Sequence, residues 1–158
     1  GAFMKKLHSL LISSEDEKKE VTVMMIDVDH FKKVNDTYGH PTGDLVLERI
    51  SSLVKAYLRP GDLACRYGGE EIIVAIQASS REGLQIAENL RTGVERFQMQ
   101  SSTKKTFSVT LSAGLASSTH FGFEGTELIA RADEALYRAK RTGRNKCEVE
   151  YKLKVAAA

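Results

Sequence analysis

The sequence predicts an α+β domain in which helices flank a mostly antiparallel central sheet. Two stretches carry this prediction. Residues 21–28, VTVMMIDV, form a nearly continuous apolar run that ends in an acid, as expected for a strand buried on both faces. Residues 66–76, RYGGEEIIVAI, place two glycines and two glutamates between apolar stretches, which is typical of a hairpin turn. We therefore expect a central strand and a β-hairpin that carries the GGEE sequence.

Two helices are predicted after the first strand. Pro41 opens the second of them, and the RPGD sequence has the Pro and Gly of a turn that ends it. The hairpin strands are predicted at 62–67 and 72–77. Ser79 and Glu82 form a capping box before a helix whose apolar residues follow a helical spacing.

The last third of the chain predicts a strand, a helix and a short strand. Apolar residues from Phe107 to Ala113 alternate with small or polar ones, which predicts a half-buried antiparallel strand over 107–114. A helix is expected over about 125–142, with Gly143 placed to end it, and residues 146–151 could add a final strand.

Size and composition fit one domain, over residues 1–158. The chain has 158 residues, of which 42% are hydrophobic, enough for one compact core. Lys and Arg number 23 and Asp and Glu 21, a formal net charge of +2, so nothing favours a nucleic acid partner. We interpret residues 1–3 as a cloning scar and 156–158 as a vector tail.

Location is predicted from cysteine usage and hydropathy. The two cysteines, Cys65 and Cys147, lie far apart and favour reduced thiols over a disulfide or a zinc site. No apolar run is long enough to span a bilayer, and no signal peptide is visible. We expect a cytoplasmic domain without membrane contact of its own, although a longer parent protein could be membrane-anchored.

Three acids are predicted to meet at one rim of the sheet. Asp27 ends the first strand, and Glu70 and Glu71 lie at the hairpin tip, so they converge if the hairpin flanks that strand. Like charges this close resist ionising together unless a cation lies between them. Mg²⁺ fits, because it uses one or two protein carboxylates and takes further ligands from water and phosphates. This suggests nucleoside triphosphate chemistry.

Other interpretations of these acids remain open from the residues alone. Charged residues at a turn tip are commonly just solvated. The sequence DVDHFKKVND begins like a calcium loop, but Phe31 occupies the next ligand position and no glycine follows at the sharp turn. An Asp-x-Asp after a strand also begins many phosphatases and glycosyltransferases.

Four motifs in register resemble one known family. DVDHFKKVNDTYGHPTGD, RPGD, RYGGEE and ADEALYRAKRTGRN, in this order, are similar to the GGDEF domain of diguanylate cyclases, from about residue 3 to residue 151. The resemblance implies a nucleotidyl-cyclase-like palm fold and condensation of two GTP into cyclic di-GMP with release of pyrophosphate. It also implies a homodimer for catalysis, and Mg²⁺ as the cofactor, with Mn²⁺ as an alternative.

The resemblance also assigns residues to roles. Asp27, the carbonyl of Val28, Glu70 and Glu71 would hold the metal, and Glu70 and Glu71 are the catalytic pair, with Glu70 as the base toward the ribose 3′-hydroxyl. Asn35 and Asp44 would read guanine. The triphosphate contacts implied by the resemblance are Phe31, Lys32, Lys140 and Arg144.

A second site is implied at Arg59 and Asp62, which match the RxxD motif where cyclic di-GMP binds as an inhibitor. Each assignment has a plainer alternative. RPGD can be only a turn, and Lys140 and Arg144 can be dipole partners at a helix end. Asn35 can be a turn residue, and Asp44 can be an acid in the first turn of a helix.

Two departures from the family pattern stand out. Ile72 replaces the aromatic residue that usually closes the signature, a core-facing change that should alter packing more than chemistry. The DxLTGLxNR segment that usually opens the family is missing. A domain that binds GTP or cyclic di-GMP without turnover is the nearest rival, and Arg91 or Arg96 could complete the inhibitory site.

Overall fold

A computed structural model describes residues 1–153. Its elements, in chain order, are α1 (Ala2–Asp16), β1 (Thr22–Val28), α2 (Phe31–Tyr38), α3 (His40–Tyr57), β2 (Leu63–Arg66), β3 (Glu71–Ile76), α4 (Ser80–Arg96), β4 (Met99–Gln100), β5 (Thr106–Phe107), β6 (Leu111–Ser117), α5 (Ser118–Phe121), α6 (Gly125–Arg141) and β7 (Cys147–Val149).

Five strands form the main sheet, in the order β2-β3-β1-β6-β7. Strand β1 is central, antiparallel to both neighbours, and buried at all seven residues. Among residues 1–153, the only parallel pair of this sheet is β6 with β7. The predictions of an α+β fold, a mostly antiparallel sheet and a central first strand are therefore confirmed.

Each face of the sheet carries its own core. One core packs Met24 and Ile26 of β1 against α3 and α4, for example through Ile50 and Leu90. The other packs the alternate residues of β1, such as Met25, against α1 and α6. Because both faces are covered, β1 needs apolar side chains at nearly every position, and this explains its unbroken hydrophobic run.

Most predicted boundaries hold within two residues, including the hairpin and the two helices after β1. The last helix ends at Arg141, and Gly143 follows it with φ 123°. The final strand is shorter than predicted.

The prediction of a half-buried strand over residues 107–114 is wrong. Residues 108–110 are not in a strand, Thr106–Phe107 pairs with β4, and β6 runs over Leu111–Ser117 with every residue buried. Within β6 the small residues Ser112 and Gly114 are buried and do not face water. Gly114 shows this most clearly, because a Cβ there would lie 2.1 Å from the carbonyl oxygen of Ala132 and 2.2 Å from the nitrogen of Leu136.

Helix α1 has no counterpart in the sequence prediction. It includes Ala2 and Phe3, and Phe3 packs against the core that α1 shares with α6. Its buried residues Leu7 and Leu11 are spaced one helical turn apart. Residues 156–158, interpreted as a vector tail, lie outside the described residues. No helix within residues 1–153 is long and apolar enough to cross a membrane.

Candidate active site

Strand pairing brings Asp27 and the hairpin glutamates together. Asp27 of β1 lies directly opposite Glu71, the first residue of β3, in the antiparallel ladder. The amide of Val28 also lies 3.5 Å from the carbonyl oxygen of Glu70. Opposed residues of such a ladder point to the same face with Cβ atoms about 5 Å apart. We call Asp27, Glu70 and Glu71 the acid rim.

The acid rim is electrostatically strained. Burial is the main cause that raises the pKa of Asp27, which is 3% exposed, and the charges of Glu70 and Asp29 raise it further. The pKa of Glu71 is also raised, first by burial and then by Asp27 and Asp133. Lys140 acts in the opposite direction on both groups. The raised pKa values mean that the charged forms of Asp27 and Glu71 are disfavoured and would be stabilised by a further cation.

Helix α6 brings Lys140 to this rim. The Lys140 ammonium forms an ion pair with the Asp27 carboxylate, across 113 positions of sequence. The close approach of α6 to the sheet depends on Gly114 of β6, where no side chain intervenes between the strand and the helix backbone. Lys140 lies one turn beyond Leu136, the residue that touches Gly114. Gly114 of β6 thus allows α6 to place Lys140 at the acid rim.

The donor set suits a hard divalent cation. Within residues 1–153, no three His, Cys, Asp or Glu side chains are grouped so as to hold a metal ion by themselves. Mg²⁺ does not require three, because it commonly uses one or two protein carboxylates and completes its shell with water and phosphate oxygens. Two opposed carboxylates with raised pKa values provide such a pair, so the acid rim fits a hard divalent cation.

Asn35 and Asp44 lie on neighbouring helices. Asn35 is on α2, and Asp44 is exposed on α3 just beyond its first turn, which contains no acid, so the alternative of a first-turn acid is wrong. The Asn35 Oδ1 atom is buried and has no hydrogen-bond partner within the described residues. It lies against Gly43, where a Cβ would come within 1.9 Å of it. Asn35 therefore offers a buried acceptor that has no partner among the described residues, and Asp44 offers an exposed carboxylate.

The predicted phosphate residues come from two elements. Phe31 and Lys32 begin α2, whose N-cap His30 has φ 55° and gives no side-chain cap, and such helix starts offer backbone amides to anions. Lys140 is in the last turn of α6, and Arg144 follows in the turn that leads to β7. Arg144 is exposed and has φ 60°.

Sequence reasoning missed Asp29, which is 5% exposed between β1 and α2. Its carboxylate accepts hydrogen bonds from Thr110 Oγ1 (2.7 Å), Ser112 Oγ (2.7 Å) and the amide of Asn145 (2.9 Å). The Asp-x-Asp spacing is the one signal that could have singled it out. The two acids of this motif have different surroundings, since only Asp27 lies on the acid rim.

Arg59 and Asp62 lie at the other end of the hairpin. Asp62 Oδ2 accepts from the Arg59 amide at 2.9 Å and lies 3.5 Å from Arg59 Nε, while Arg59 Nη2 donates to the Gln77 carbonyl at 3.0 Å. Gln77 is six positions along the extended chain from Glu71, about 20 Å at the rise of a strand. This turn is therefore remote from the acid rim.

Neither arginine suggested as a partner to this turn is seen to contact it. Arg91 donates to Glu88 and to Asn145 Oδ1, beside the turn after α6. Arg96 is in the last turn of α4. Ile72 is 3% exposed and belongs to the core between the sheet, α3 and α4, which agrees with its expected packing role.

Comparison with known proteins identifies the family. The sequence model described as "Diguanylate cyclase, GGDEF domain" matches residues 1–146. Diguanylate cyclase A of Treponema denticola is 44% identical over 142 residues, which are 88% of this chain and 38% of that protein. The chain thus spans well under half the length of this curated relative.

Two solved structures share the fold. The GGDEF domain of DgcB from Caulobacter crescentus, solved in complex with c-di-GMP, has a TM-score of 0.87 and 31% identity and covers 94% of this chain and 88% of that one. The active GGEEF domain of a diguanylate cyclase from Vibrio cholerae has a TM-score of 0.88 and 26% identity over 96% of both chains. On these grounds this chain belongs to the GGDEF domain family of diguanylate cyclases.

Proposed function

We propose that this chain is a diguanylate cyclase domain that condenses two molecules of GTP into cyclic di-GMP and two of pyrophosphate. The observation that carries the proposal is the pairing of Asp27 with Glu71, with Lys140 against Asp27. A buried acid, a half-buried acid and a cation thus lie beside the exposed glycines of the hairpin tip. Membership of the family supplies the reaction.

The metal would be held by Asp27, the Val28 carbonyl, Glu70 and Glu71. When bound, Mg²⁺ would offset negative charge on the phosphates and assist ionisation of the attacking hydroxyl. In this proposal Glu70 takes the proton from the ribose 3′-hydroxyl, and the resulting oxyanion attacks the α-phosphate of the other GTP. A carboxylate at the exposed hairpin tip is accessible to a substrate held by a second subunit.

The remaining site residues bind and orient GTP. Asn35 and Asp44 would read guanine, because a carboxylate accepts from the N1 and N2 donors that adenine lacks as a pair. The α2 amides at Phe31 and Lys32, with the Lys32 side chain, would receive the triphosphate. Lys140 and Arg144 would add cationic donors. The Lys140 ammonium, paired with Asp27 in this structure, would exchange part of that contact for phosphate oxygens.

Two further features are proposed from the same family membership. The two half-sites, each with one GTP, would face each other in a homodimer, so the rate would depend on assembly. Cyclic di-GMP would bind at Arg59 and Asp62 and inhibit the enzyme. The Arg59 guanidinium is about half-exposed while the Asp62 carboxylate beside it is buried, so a fork of donors is already held in place. The cytoplasmic location stays a prediction.

The test of this proposal is product formation. The protein, at high concentration and also fused to a dimerising leucine zipper, is incubated with GTP and Mg²⁺, and the nucleotides are separated by chromatography. We expect cyclic di-GMP and pyrophosphate in a ratio of about one to two, with no product from ATP. Binding of GTP without turnover in the zipper-fused protein would instead identify a nucleotide receptor and would refute the enzymatic proposal.

A further inference from the structure

We propose that Asp29 is a positioning residue that orients Arg144 toward the triphosphate, an inference that rests on the phosphate role proposed for Arg144. Asp29 follows β1, two positions after Asp27 of the acid rim. It contacts the turn that joins α6 to β7 through the amide of Asn145. One buried carboxylate therefore connects the end of the central strand to the turn that carries Arg144.

The contacts of Asp29 are directional. Oδ1 accepts from Ser112 Oγ, and Oδ2 accepts from Thr110 Oγ1 and from the Asn145 amide. Within the described residues no cationic side chain forms an ion pair with Asp29. The hydroxyl groups of Thr110 and Ser112 thus fix the carboxylate on the side of the sheet. The third hydrogen bond, from the Asn145 amide, holds the turn between α6 and β7. A buried carboxylate saturated by neutral donors is a rigid anchor.

The turn needs such an anchor. Gly143, Arg144 and Asn145 have φ values of 123°, 60° and 49°, so two successive residues with side chains adopt the left-handed region. Conformations of this kind persist where surrounding contacts over-determine them. Here the Arg144 amide donates to the Ala139 carbonyl at 2.9 Å, and the next amide donates to Asp29.

Helix α4 holds the same turn from a second side. The side-chain oxygen Oδ1 of Asn145 accepts from Arg91 Nη1 at 3.0 Å. The side-chain nitrogen Nδ2 of Asn145 donates to the Glu95 carboxylate. Arg91 is itself held by Glu88, whose Oε2 accepts from both Nε and Nη2 of Arg91. The backbone of Asn145 is thus tied to β1 and its side chain to α4. Arg144, immediately before it, has its backbone fixed while its side chain is exposed.

Lys140 does not depend on this anchor. It lies on α6, and the packing of α6 against Gly114 sets its position. Loss of the Asp29 contact should therefore affect the contribution of Arg144 to triphosphate binding and leave that of Lys140 in place. This separation makes the inference testable by a double-mutant cycle.

The experiment measures the affinity for α,β-methylene-GTP, which cannot react at the α-phosphate, by calorimetry in the presence of Mg²⁺. Asp29→Ala and Arg144→Ala should each weaken binding about tenfold, the typical cost of a charge-assisted hydrogen bond. In the Arg144→Ala background, Asp29→Ala should change affinity less than about twofold. Guanosine, which has no phosphate, should bind all the variants equally.

Two further variants separate positioning from general structure. Asp29→Asn should recover most of the affinity, because its oxygen can accept from Asn145 while its amide donates to Ser112. Thr110→Val removes a donor to the same carboxylate and leaves the Asn145 contact, so it should lower the melting temperature and keep the affinity within about twofold. If Asp29→Ala does not fold, Asp29→Ser, whose shorter side chain withdraws from the turn, takes its place in the cycle.

The outcomes are distinct. An equal loss from Asp29→Ala with and without Arg144, or an equal loss for guanosine, would overturn the positioning role and leave only a structural one. No loss from Asp29→Ala, while Arg144→Ala weakens binding, would also overturn it. No loss from Arg144→Ala would instead refute the phosphate contact in the proposed function, and the inference would fall with it.

Discussion

Asp27 lies opposite Glu71 in the ladder between β1 and β3, and the ammonium of Lys140 contacts Asp27. One lysine does not offset the cost of this arrangement, because the pKa values of both acids are raised. Sites that collect like charges are selected for function rather than stability.

Removing the Asp27 charge should stabilise the fold and abolish activity. The folded pKa of Asp27 lies above its ordinary value of 3.8, so the wild type loses stability as pH rises through that folded pKa. Asp27→Asn does not titrate, and its melting temperature should therefore exceed that of the wild type at pH 8, by a margin that shrinks toward pH 4. Thermal denaturation across this range measures the effect.

Asp36→Asn is the matched control, since Asp36 is exposed on α2. It should change the free energy of unfolding by less than about 0.5 kcal/mol. An Asp27→Asn protein that melts below the wild type at pH 8 would show that the ion pair with Lys140 outweighs burial.

Glu70 is expected to act as the base. Glu70→Gln keeps the shape of the side chain and removes its capacity to accept a proton. Turnover of GTP should therefore fall by about a hundredfold or more, while α,β-methylene-GTP still binds. Glu134→Gln, on the exposed side of α6, should leave turnover unchanged. A Glu70→Gln enzyme that retains the wild-type rate removes Glu70 from this role.

Gly114 should tolerate no side chain. Gly114→Ala would force α6 away from the sheet, because its Cβ would lie 2.1 Å from a backbone oxygen, and overpacking of this kind typically costs about 1–3 kcal/mol. Since α6 carries Lys140, turnover should fall as well. Urea denaturation and a GTP turnover assay measure the two effects.

Gly93→Ala is the control for this substitution, since Gly93 lies inside α4 and its nearest neighbour is the Tyr57 hydroxyl at 3.7 Å. It should stabilise the protein by about 0.5–1 kcal/mol, the helix-propensity gain of Ala over Gly. Equal stability changes at both positions would contradict the packing explanation.

Guanine selectivity should depend on Asp44. Asp44→Asn replaces one acceptor by a donor opposite the guanine N1 and N2 groups, so GTP affinity should fall about tenfold while the weaker ATP affinity changes little. Competition binding with a fluorescent nucleotide measures both. A parallel loss for GTP and ATP would indicate that Asp44 acts on the helix rather than on the base.

Product binding should be separable from substrate binding. Arg59→Ala removes a guanidinium that contacts Gln77, about 20 Å along the chain from Glu71. Tight binding of cyclic di-GMP should therefore be lost, while the affinity for α,β-methylene-GTP is kept. Arg131→Ala, which removes an exposed arginine paired with Glu127, is the control. Product affinity retained by Arg59→Ala would refute the inhibitory site.

Local patterns were sufficient to predict the strands and helices that have a single clear period. The apolar run of β1, the glycine pair of the hairpin and the Pro and Gly boundaries of helices all act over a few residues. The same patterns mislead at β6, because small residues that alternate with apolar ones can face either water or a closely packed helix. The burial of Gly114 depends on its contact with α6, whose contacting residues lie about twenty positions further along the chain.

The site was predictable only in part for the same reason. In a small sheet a hairpin strand commonly pairs with the central strand. The proximity of Asp27 to Glu70 and Glu71 could therefore be predicted from the sequence. The ion pair with Lys140 spans 113 positions, and the anchor from Asp29 to Asn145 spans 116. Contacts of this separation depend on the packing of whole elements, which no local pattern records.

The proposal that β1 and the hairpin share a metal ion is tested most directly by crystallography with Mn²⁺ and α,β-methylene-GTP, with the ion located by its anomalous scattering. We expect Mn²⁺ within about 2.3 Å of a carboxylate oxygen of Asp27 and of a carboxylate oxygen of Glu70 or Glu71, in contact with the phosphates. A metal ion held by the phosphates alone, with Asp27 still paired to Lys140, would contradict the account.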